Sequence, residues 1–289
     1  MLNIIGAAVG SGGPDIRTSE GPDIIANSSF WHEAIKAGFS LEWVNTFREG
    51  AEDNKLDKLC HVFEKLAIQV RALVEKKEHF CVIGGDHSAA IGTWSGASVG
   101  LGKPLGLIWI DAHKDAHTFE TSLSQNIHGM PVAALLGHGS KRLTDILTHH
   151  PKILPENICL IGIRSFEPGE HALLKRLNVK IYDMEEVKQR DLSIILQEAR
   201  DHVTKNTAGY GITCDLDSMD PNDIPAVSTP EPDGISAKAL LKAFSDLYPD
   251  PKQIGFEIME FNPSRDKHKK TEKFIFDLLK IIDTHTRNK

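Results

Sequence analysis

The stretch DAHKDAH, which begins at Asp111, places a carboxylate or an imidazole at every second residue. On an extended chain, residues i, i+2 and i+4 point to one side, so Asp111, His113 and Asp115 converge there. Asp215 and Asp217, in the later stretch DLD, repeat the same geometry. Carboxylates and imidazoles gathered in this way predict a site for divalent cations.

Bound cations would also explain how so many acids can lie together. Four carboxylates packed at buried strand ends repel one another strongly unless they are protonated or neutralised. His87, in the motif GGDHS, can bring a second imidazole to the same place. The donors are mostly oxygen, with two imidazoles and no thiolate, so two Mn²⁺ ions suit them better than a structural Zn²⁺, while Fe²⁺, Co²⁺ and Ni²⁺ stay open.

Each acid taken alone has a simpler interpretation, because Asp after a strand commonly caps a helix or closes a turn. Asp220, which precedes Pro221, is predicted to shape a turn in this way. Asp86 is predicted to support the metal-binding His87 without binding metal itself. Three acidic motifs that all follow strands favour a common site over separate caps.

The elements that must position these residues are short apolar runs that alternate with longer amphipathic segments. Nearly continuous apolar runs predict strands that are buried on both faces. Residues 56–78 carry apolar side chains at helical spacing and predict a covering helix. Such alternation is typical of a parallel sheet with right-handed crossovers. The predicted strands are LNIIGAAV, HFCVIGGD, PLGLIWID, NICLIGIR, VKIYDM, YGITCDLD and QIGFEIME.

The polar motifs stand at the ends of these predicted strands. GGDHS, DAHKD, DLDSMDP and EFNP each follow an apolar run. In open α/β sheets, ligands bind beyond the carboxyl ends of the strands. The sequence therefore predicts one site assembled from distant segments.

Composition limits the class of protein. With 289 residues, 40% hydrophobic and 25% charged, the chain suits one large α/β domain, and we expect residues 1–289 to form a single catalytic domain. A net charge of -7 argues against binding nucleic acid or an anionic membrane, and favours a cationic small molecule.

Cysteine usage and the start of the chain bear on the compartment. The four cysteines are widely spaced and form no CxxC pair, so we expect reduced, mostly structural thiols. MLNIIGAAVG lacks the basic region of a signal peptide, and no segment has the roughly 20 apolar residues that cross a bilayer. These features predict a cytoplasmic protein.

The motifs GGDHS, DAHKD, SQNIHG, DLDSMDP and EIMEFNP, in this order over residues 84–263, resemble those of the ureohydrolase family. That family comprises binuclear manganese enzymes, among them arginases, agmatinases and formiminoglutamases, and the resemblance is closest to the arginases. GGPDIRTSEGP near the start is similar to the family's N-terminal loop, so the resemblance spans the chain. It implies a three-layer α/β/α sandwich with a mostly parallel sheet of about eight strands.

The resemblance also implies which residues hold the metal ions and how the reaction proceeds. A hydroxide shared by the two ions would attack the guanidinium carbon of the substrate, most simply L-arginine, to give L-ornithine and urea. Asp115 would pass the remaining proton to the departing amine. The implied ligands are His87, Asp111, Asp115 and Asp215 for one ion, and Asp111, His113, Asp215 and Asp217 for the other, with Asp111 and Asp215 bridging.

Two further groups gain roles from the resemblance. Glu260 matches the residue that pairs with the substrate guanidinium, a planar cation that suits a carboxylate. His128 matches a histidine that relays protons or assists the leaving amine. The structural alternatives are a support for a metal-binding histidine in the case of Glu260, and a packed loop histidine in the case of His128.

Substrate recognition is implied for the loop after DAHKD and for the segment EPGE. Glu167 falls near the substrate α-amino group with Glu170 further out, although acids beside a Pro also suit a helix N-terminus. His117 departs from the Asn that arginases usually have, and we expect it to line the outer pocket rather than bind metal. Gln125, in SQN where arginases have SGN, is expected beside the same pocket. The full set of predicted substrate-binding residues is His117, Ser122, Ser124, Asn126, Glu167 and Thr229.

These two departures leave the substrate open between arginine and another guanidino or formimino compound, as in agmatinase or formiminoglutamase. A relative without catalysis, serving as a binding or regulatory subunit, is the alternative of another class. All of the implied metal and catalytic positions carry competent residues, which argues against that alternative. The family also implies a homo-oligomer, either a trimer or a hexamer.

Overall fold

One sheet of eight parallel strands runs through the computed structural model, which describes residues 1–287 and, for residues 285–287, the backbone alone. The strands are β1 (Leu2–Ala8), β2 (Leu41–Arg48), β3 (Phe80–Gly84), β4 (Leu105–Ile110), β5 (Ile158–Ile163), β6 (Lys180–Asp183), β7 (Gly209–Asp215) and β8 (Gln253–Met259). The predicted parallel sheet is confirmed.

Helices cover both faces of this sheet. Side chains alternate between faces along each strand, so Ile4 and Ile83 enter one hydrophobic core while Ile5 and Val82 enter the other. The implied three-layer α/β/α arrangement is thus confirmed. The helices are α1 (Gly21–Ala26), α2 (Ser29–Lys36), α3 (Lys55–Glu75), α4 (Ala90–Leu101), α5 (Pro131–Leu135), α6 (Lys141–Thr144), α7 (Pro168–Arg176), α8 (Met184–Gln189), α9 (Leu192–Val203), α10 (Ala237–Leu247) and α11 (Lys270–Arg287).

The strand order is β2-β1-β3-β8-β7-β4-β5-β6. The last strand in the chain, β8, therefore lies between β3 and β7 in the middle of the sheet. Because all neighbouring strands are parallel, the carboxyl ends of β3, β8, β7 and β4 stand side by side at one edge. This edge receives the motifs singled out in the sequence.

Strand β2 is the element that apolar runs did not predict. It lies at the edge of the sheet, pairs only with β1 in the described part of the chain, and buries only Leu41 fully. A half-exposed edge strand needs no continuous apolar run, which explains why LEWVNTFR gives a weak signal.

Helix α3 confirms the helix predicted over residues 56–78, with a shorter C-terminal end. The Asn54 side chain caps it by accepting hydrogen bonds from the backbone N–H groups of Leu56 and Asp57. Its buried face, which includes Phe63, Leu66 and Val70, packs against α4. The apolar stripe at helical spacing is what the core requires.

The C-terminal segment forms α11 as its amphipathic pattern indicates. The basic tail expected at its end falls partly on residues 288–289, outside the described residues. Within residues 1–287, no helix is both long and apolar enough to cross a membrane.

Central strand β7 has no room for a side chain at Gly211. A methyl group there would lie 1.9 Å from the ring of Trp94, which is fully buried. The missing side chain lets the indole of α4 pack directly on the sheet backbone.

We expect Gly211→Ala to lower the free energy of unfolding by roughly 1–3 kcal/mol, because overpacking a filled core forces side chains and backbone to shift. Urea unfolding of the purified protein measures this loss. Gly129→Ala is the matched control, since its methyl group would lie 3.8 Å from the His117 ring, an ordinary van der Waals distance. Equal unfolding midpoints for the two variants would contradict the packing argument.

Candidate metal centre and pocket

The predicted ligands come together at the edge formed by β3, β8, β7 and β4. His87 follows β3, Asp111 follows β4, Asp215 closes β7 and Glu260 follows β8. The backbone N–H of His87 donates to Glu260 Oε1 at 2.9 Å, although the two residues are 173 positions apart. The strand order therefore assembles the site from opposite ends of the chain.

The buried imidazole of His87 faces three carboxylates. Its Nδ1 atom lies 2.9 Å from Asp215 Oδ2, 3.2 Å from Asp111 Oδ2 and 3.3 Å from Asp115 Oδ2. The indole of Trp109 stacks on the imidazole with ring centroids 4.2 Å apart, and its Nε1 donates to Asp111 Oδ2 at 2.8 Å. One nitrogen and three carboxylate oxygens thus converge within reach of a single cation.

A second group of ligands forms around His113. Its Nδ1 atom lies 3.2 Å from Asp217 Oδ2 and 3.5 Å from Asp111 Oδ1. Thr229 Oγ1 donates to Asp217 Oδ2 at 2.9 Å. Asp111 therefore offers one oxygen to each histidine. The ligand atoms of His87, Asp111 and Asp215 lie within 4.8 Å of one another, and so do those of Asp111, His113 and Asp217.

The geometry brings all of the predicted ligands into two adjoining sets that share Asp111. Asp215 belongs to the His87 set, while Asp217 belongs to the His113 set. Asp115 joins the first set through its distance to His87. A bridging role for Asp215 stays a prediction.

The charges of these groups explain why the site suits cations. Burial alone would lower the pKa of the His87 imidazole, but Asp111, Asp115 and Asp215 raise that pKa well above its ordinary value. Burial, together with Asp111, raises the pKa of Asp115 to about 7. Burial, Asp217 and Asp111 also raise the pKa of Asp215. Protons therefore neutralise this cluster until a divalent cation replaces them.

Two residues of the site have a left-handed backbone. Asp115 has φ of 49° and Glu260 has φ of 67°, a conformation that costs non-glycine residues about 1–2 kcal/mol. Hydrogen bonds hold both in place, from Val132 N to Asp115 O at 2.8 Å and from Glu260 N to Gly85 O at 2.7 Å. Gly85 itself can bear no side chain, because a methyl group would lie 1.7 Å from Val9 O. Such conformations aim the two carboxylates away from the strand direction.

Glu260 and His128 form a pair beside the acids. His128 Nδ1 lies 3.1 Å from Glu260 Oε1. Burial alone would lower the pKa of His128, but Glu260 raises it to about 9. The other oxygen, Glu260 Oε2, is buried and accepts no hydrogen bond from the described residues. A buried carboxylate oxygen without a partner fits a cationic ligand.

A pocket of about 190 Å³ opens over this centre. His128 and four of the predicted metal ligands contribute to its walls. Each residue predicted to bind substrate also lines it: His117, Ser122, Ser124, Asn126, Glu167 and Thr229.

His117 lies in the outer wall, where the sequence predicted it. Its Nε2 atom is 2.8 Å from Glu167 Oε2, and the imidazole lowers the pKa of that carboxyl. Glu170 lies behind this pair and accepts the backbone N–H groups of Glu167 and Ala116, at 2.9 and 3.3 Å. The ligand atoms of His117, Glu167 and Glu170 also lie within 4.8 Å of one another, but the backbone donors already occupy Glu170. Glu167 precedes α7, so the helix-terminus interpretation holds as well.

Gln125 lies between Ser124 and Asn126, which line the pocket, although its own side chain does not line it. Its side-chain amide turns back and donates to Phe119 O at 2.8 Å and to Ser122 O at 2.5 Å. Its φ of 59° explains why glycine suits this position. The two hydrogen bonds donated by the side-chain amide offset the backbone strain of a residue larger than glycine. Gln125 N also donates to Ser122 Oγ at 3.0 Å, which fixes one of the two predicted hydroxyls.

Asp86 supports a different group from the one predicted. It accepts hydrogen bonds from Gly12 N at 2.8 Å and Gly13 N at 3.2 Å, rather than reaching the imidazole of His87. His128 N in turn donates to Gly12 O at 3.1 Å. Asp86 therefore holds the N-terminal loop against His128. Asp220 shapes a turn as predicted, since it accepts the backbone N–H of Asn222 at 2.9 Å.

Several supporting residues were missed in the sequence. Arg164 donates to the carbonyl groups of Asp217 and Glu231, both at 2.8 Å, and so ties the loop after β7 to the segment that carries Thr229. Beneath His87, Thr213 Oγ1 lies 3.0 Å from the ring Nε2. The sequence signal that could have found such residues is a polar group within or directly after an apolar strand. Trp109, Thr213 and Glu257 all stand at such positions.

Comparisons with known proteins agree over nearly the whole chain. A profile of the Arginase family matches residues 2–282. The arginases of Brevibacillus brevis and Bacillus subtilis (strain 168) are each 35% identical, covering 97% of this chain and of their own. The solved arginase of Bacillus caldovelox superposes with a TM-score of 0.90 at 32% identity, covering 98% of this chain and 97% of its own. Formimidoylglutamase of Bacillus subtilis, at 21% identity and a TM-score of 0.81, shows likeness of fold alone.

We expect Mn²⁺ binding to release protons and to strengthen from about pH 5 to about pH 8, because deprotonated ligands bind metal. The pKa values of Asp115, at about 7, and of Asp215, His87 and His113 are raised, so an incoming cation must displace protons whose occupancy falls as the pH rises. Calorimetric titration of metal-free protein, in buffers of different ionisation enthalpy, counts the protons released. Binding without proton release would contradict this arrangement.

Proposed function

The chain belongs to the arginase family, and we propose that it hydrolyses L-arginine to L-ornithine and urea. The observation that carries this proposal is the similarity to arginases over 97% of the chain, joined to a pocket lined by four of the ligand residues and by His128, which contacts the buried carboxylate of Glu260. A guanidinium group is the planar cation that such an oxygen would bind.

The donor set fits a pair of divalent cations. His87, Asp111, Asp115 and Asp215 would hold one, and Asp111, His113, Asp215 and Asp217 the other. Bound there, the two ions would supply a hydroxide near neutral pH. Oxygen-rich ligands without thiolate support Mn²⁺ as the metal, with Co²⁺ or Fe²⁺ as substitutes.

The chain's own residues then have distinct tasks. Glu260 would hold the guanidinium so that its carbon faces the acids, since Oε1 is fixed by His87 N while Oε2 is buried without a partner among the described residues. Asp115, which lines the pocket, would accept the proton left after attack on that carbon and pass it to the departing amine. His128, charged beside Glu260, would assist that amine as it leaves.

The pocket wall supports recognition of a free amino acid. Glu167 is ionised and lies at the rim, where it would bind the α-amino group. Ser122, Ser124 and Asn126 line the pocket with neutral donors that suit the α-carboxylate. Thr229 would support the wall through its bond to Asp217.

A second candidate substrate is another guanidino or formimino compound that carries a carboxylate. The observation in its favour is His117, which stands where arginases usually have Asn and already contacts Glu167 at 2.8 Å. An amino-acid substrate must share or replace that contact, whereas a substrate without an α-amino group need not.

The resemblance supports three further proposals. We infer a homo-oligomer, either a trimer or a hexamer, in which residues 1–289 form the single catalytic domain of each subunit. We also infer a cytoplasmic protein, because its four cysteines are buried and unpaired, as a reducing compartment favours.

The first test compares arginine, agmatine, guanidinobutyrate and formiminoglutamate as substrates of metal-stripped protein reloaded with Mn²⁺. We expect arginine to release urea fastest. Turnover of another compound without activity on arginine would identify that compound as the substrate. His117 would then be the first residue to test as a determinant of substrate specificity. If the metal-loaded protein hydrolysed none of these compounds, the result would favour the alternative of a non-catalytic binding or regulatory subunit.

We expect Glu167→Gln to lower kcat/KM for arginine by about tenfold or more, because a charged hydrogen bond to the α-amino group is worth about 1.5–3 kcal/mol. The kcat/KM for agmatine should change little in this variant, because agmatine has no α-amino group for Glu167 to bind. Glu185→Gln, on α8 away from the pocket, is the matched control. Equal losses on both substrates would remove Glu167 from recognition.

A further inference from the structure

A chain of hydrogen bonds lies behind His87, on the side of the ring away from the carboxylates. His87 Nε2 is 3.0 Å from Thr213 Oγ1, which is 2.7 Å from Glu257 Oε2. Trp94 Nε1 donates to the same oxygen at 2.9 Å. These four side chains are fully buried, so no solvent competes for their bonds.

The sheet itself places this chain of bonds. Thr213 on β7 and Glu257 on β8 are direct partners in the strand register. Thr213 also lies two residues before Asp215, so both side chains point to the same face of the sheet as the metal ligands. A hydroxyl and a carboxylate therefore stand directly beneath the imidazole.

The donors and acceptors give the chain of bonds a direction. An indole N–H can only donate, so Glu257 Oε2 accepts from Trp94, and its remaining lone pair faces Thr213. The Thr213 hydroxyl has one proton, which it gives to that oxygen. Its own lone pairs then face His87 Nε2, which must carry a proton to complete the last bond.

We propose that Thr213 and Glu257 are positioning residues that fix the tautomer of His87, so that Nε2 keeps a proton and Nδ1 offers its lone pair to a divalent cation. The neighbouring carboxylates alone would favour the opposite tautomer, because they accept a hydrogen bond from a protonated Nδ1. Metal-bound imidazoles commonly donate their second N–H to a carboxylate, and here a hydroxyl stands between the two. This inference rests on the proposed metal centre but not on the identity of the substrate.

The other imidazole has no comparable support from residues 1–287. His113 Nε2 lies 3.7 Å from Glu231 Oε1, beyond hydrogen-bond distance, and its side chain is 26% exposed. Removing the Thr213 hydroxyl should therefore weaken one ion of the pair and leave the other nearly unchanged.

The test measures how fast a chelator strips Mn²⁺ from loaded protein carrying Thr213→Val, Thr213→Ser or no change. We expect Thr213→Val, which keeps the shape but loses the hydroxyl, to release one ion about 10–100-fold faster. Thr213→Ser should stay within about twofold of the unchanged protein. Thr207→Val, which removes a hydroxyl far from the site on the loop after α9, is the matched control.

A second measurement reads the hydrogen bond of His87 Nε2 directly. In protein loaded with diamagnetic Zn²⁺ and labelled with ¹⁵N-histidine, the Nε2 proton of His87 should have the downfield shift and slow solvent exchange of a hydrogen-bonded group, and both features should be lost in Thr213→Val. Glu257→Leu should reproduce the faster metal loss, whereas Glu257→Gln, which keeps an oxygen for Trp94 and Thr213, should not.

Three outcomes would overturn the inference. Release rates for Thr213→Val that match the unchanged protein would show that the hydroxyl does not matter. Thr213→Ser as poor as Thr213→Val would show that the methyl group matters instead. If His87→Ala held as many ions as the unchanged protein, the metal centre itself would fail together with the inference, a result distinct from either of the first two.

Discussion

The crowding of buried carboxylates at one edge of the sheet is the constraint on which the structure depends. An ionised carboxylate inside a protein costs several kcal/mol unless donors and opposite charges meet it. Here the first backbone N–H groups beyond the strands serve as donors, from His113 to Asp111 at 2.7 Å and from Asp217 to Asp215 at 2.8 Å. Two imidazoles supply the remaining compensation, and only a cation can replace their protons. The fold therefore holds these acids together with bound protons that a divalent cation would displace.

Side chains that contact the acids from behind fix the orientation of their oxygens. Trp109 fixes one oxygen of Asp111, Thr229 fixes one oxygen of Asp217, and Arg164 holds the loop between them through backbone carbonyls. These residues bind no metal, yet they decide which lone pairs face the centre. Because each lies on a buried strand or ties two loops together, the rigid core of the sheet sets the orientation of the ligands.

The ligands could be predicted from sequence because their chemistry is local. The residue types and their spacing are visible in the motif, but strand alternation is not what unites them: β4 ends at Ile110 and Asp115 has φ of 49°, so a turning loop brings Asp111, His113 and Asp115 together. Their meeting with Asp215 required only that parallel strands share an edge. The role of Asp86 could not be obtained in this way, because its partners in the N-terminal loop are 74 residues away. The direction of Gln125 depends on a positive φ that an ordinary side chain does not announce.

The position of β8 has a consequence for how the protein is made. The strand formed by residues 253–259 lies between β3 and β7, so neither of those strands has its second partner until β8 has been synthesised. Glu260 is the residue that directly follows β8. Insertion of β8 therefore pairs the free sides of β3 and β7 and brings Glu260 to His87 and His128 in the same step.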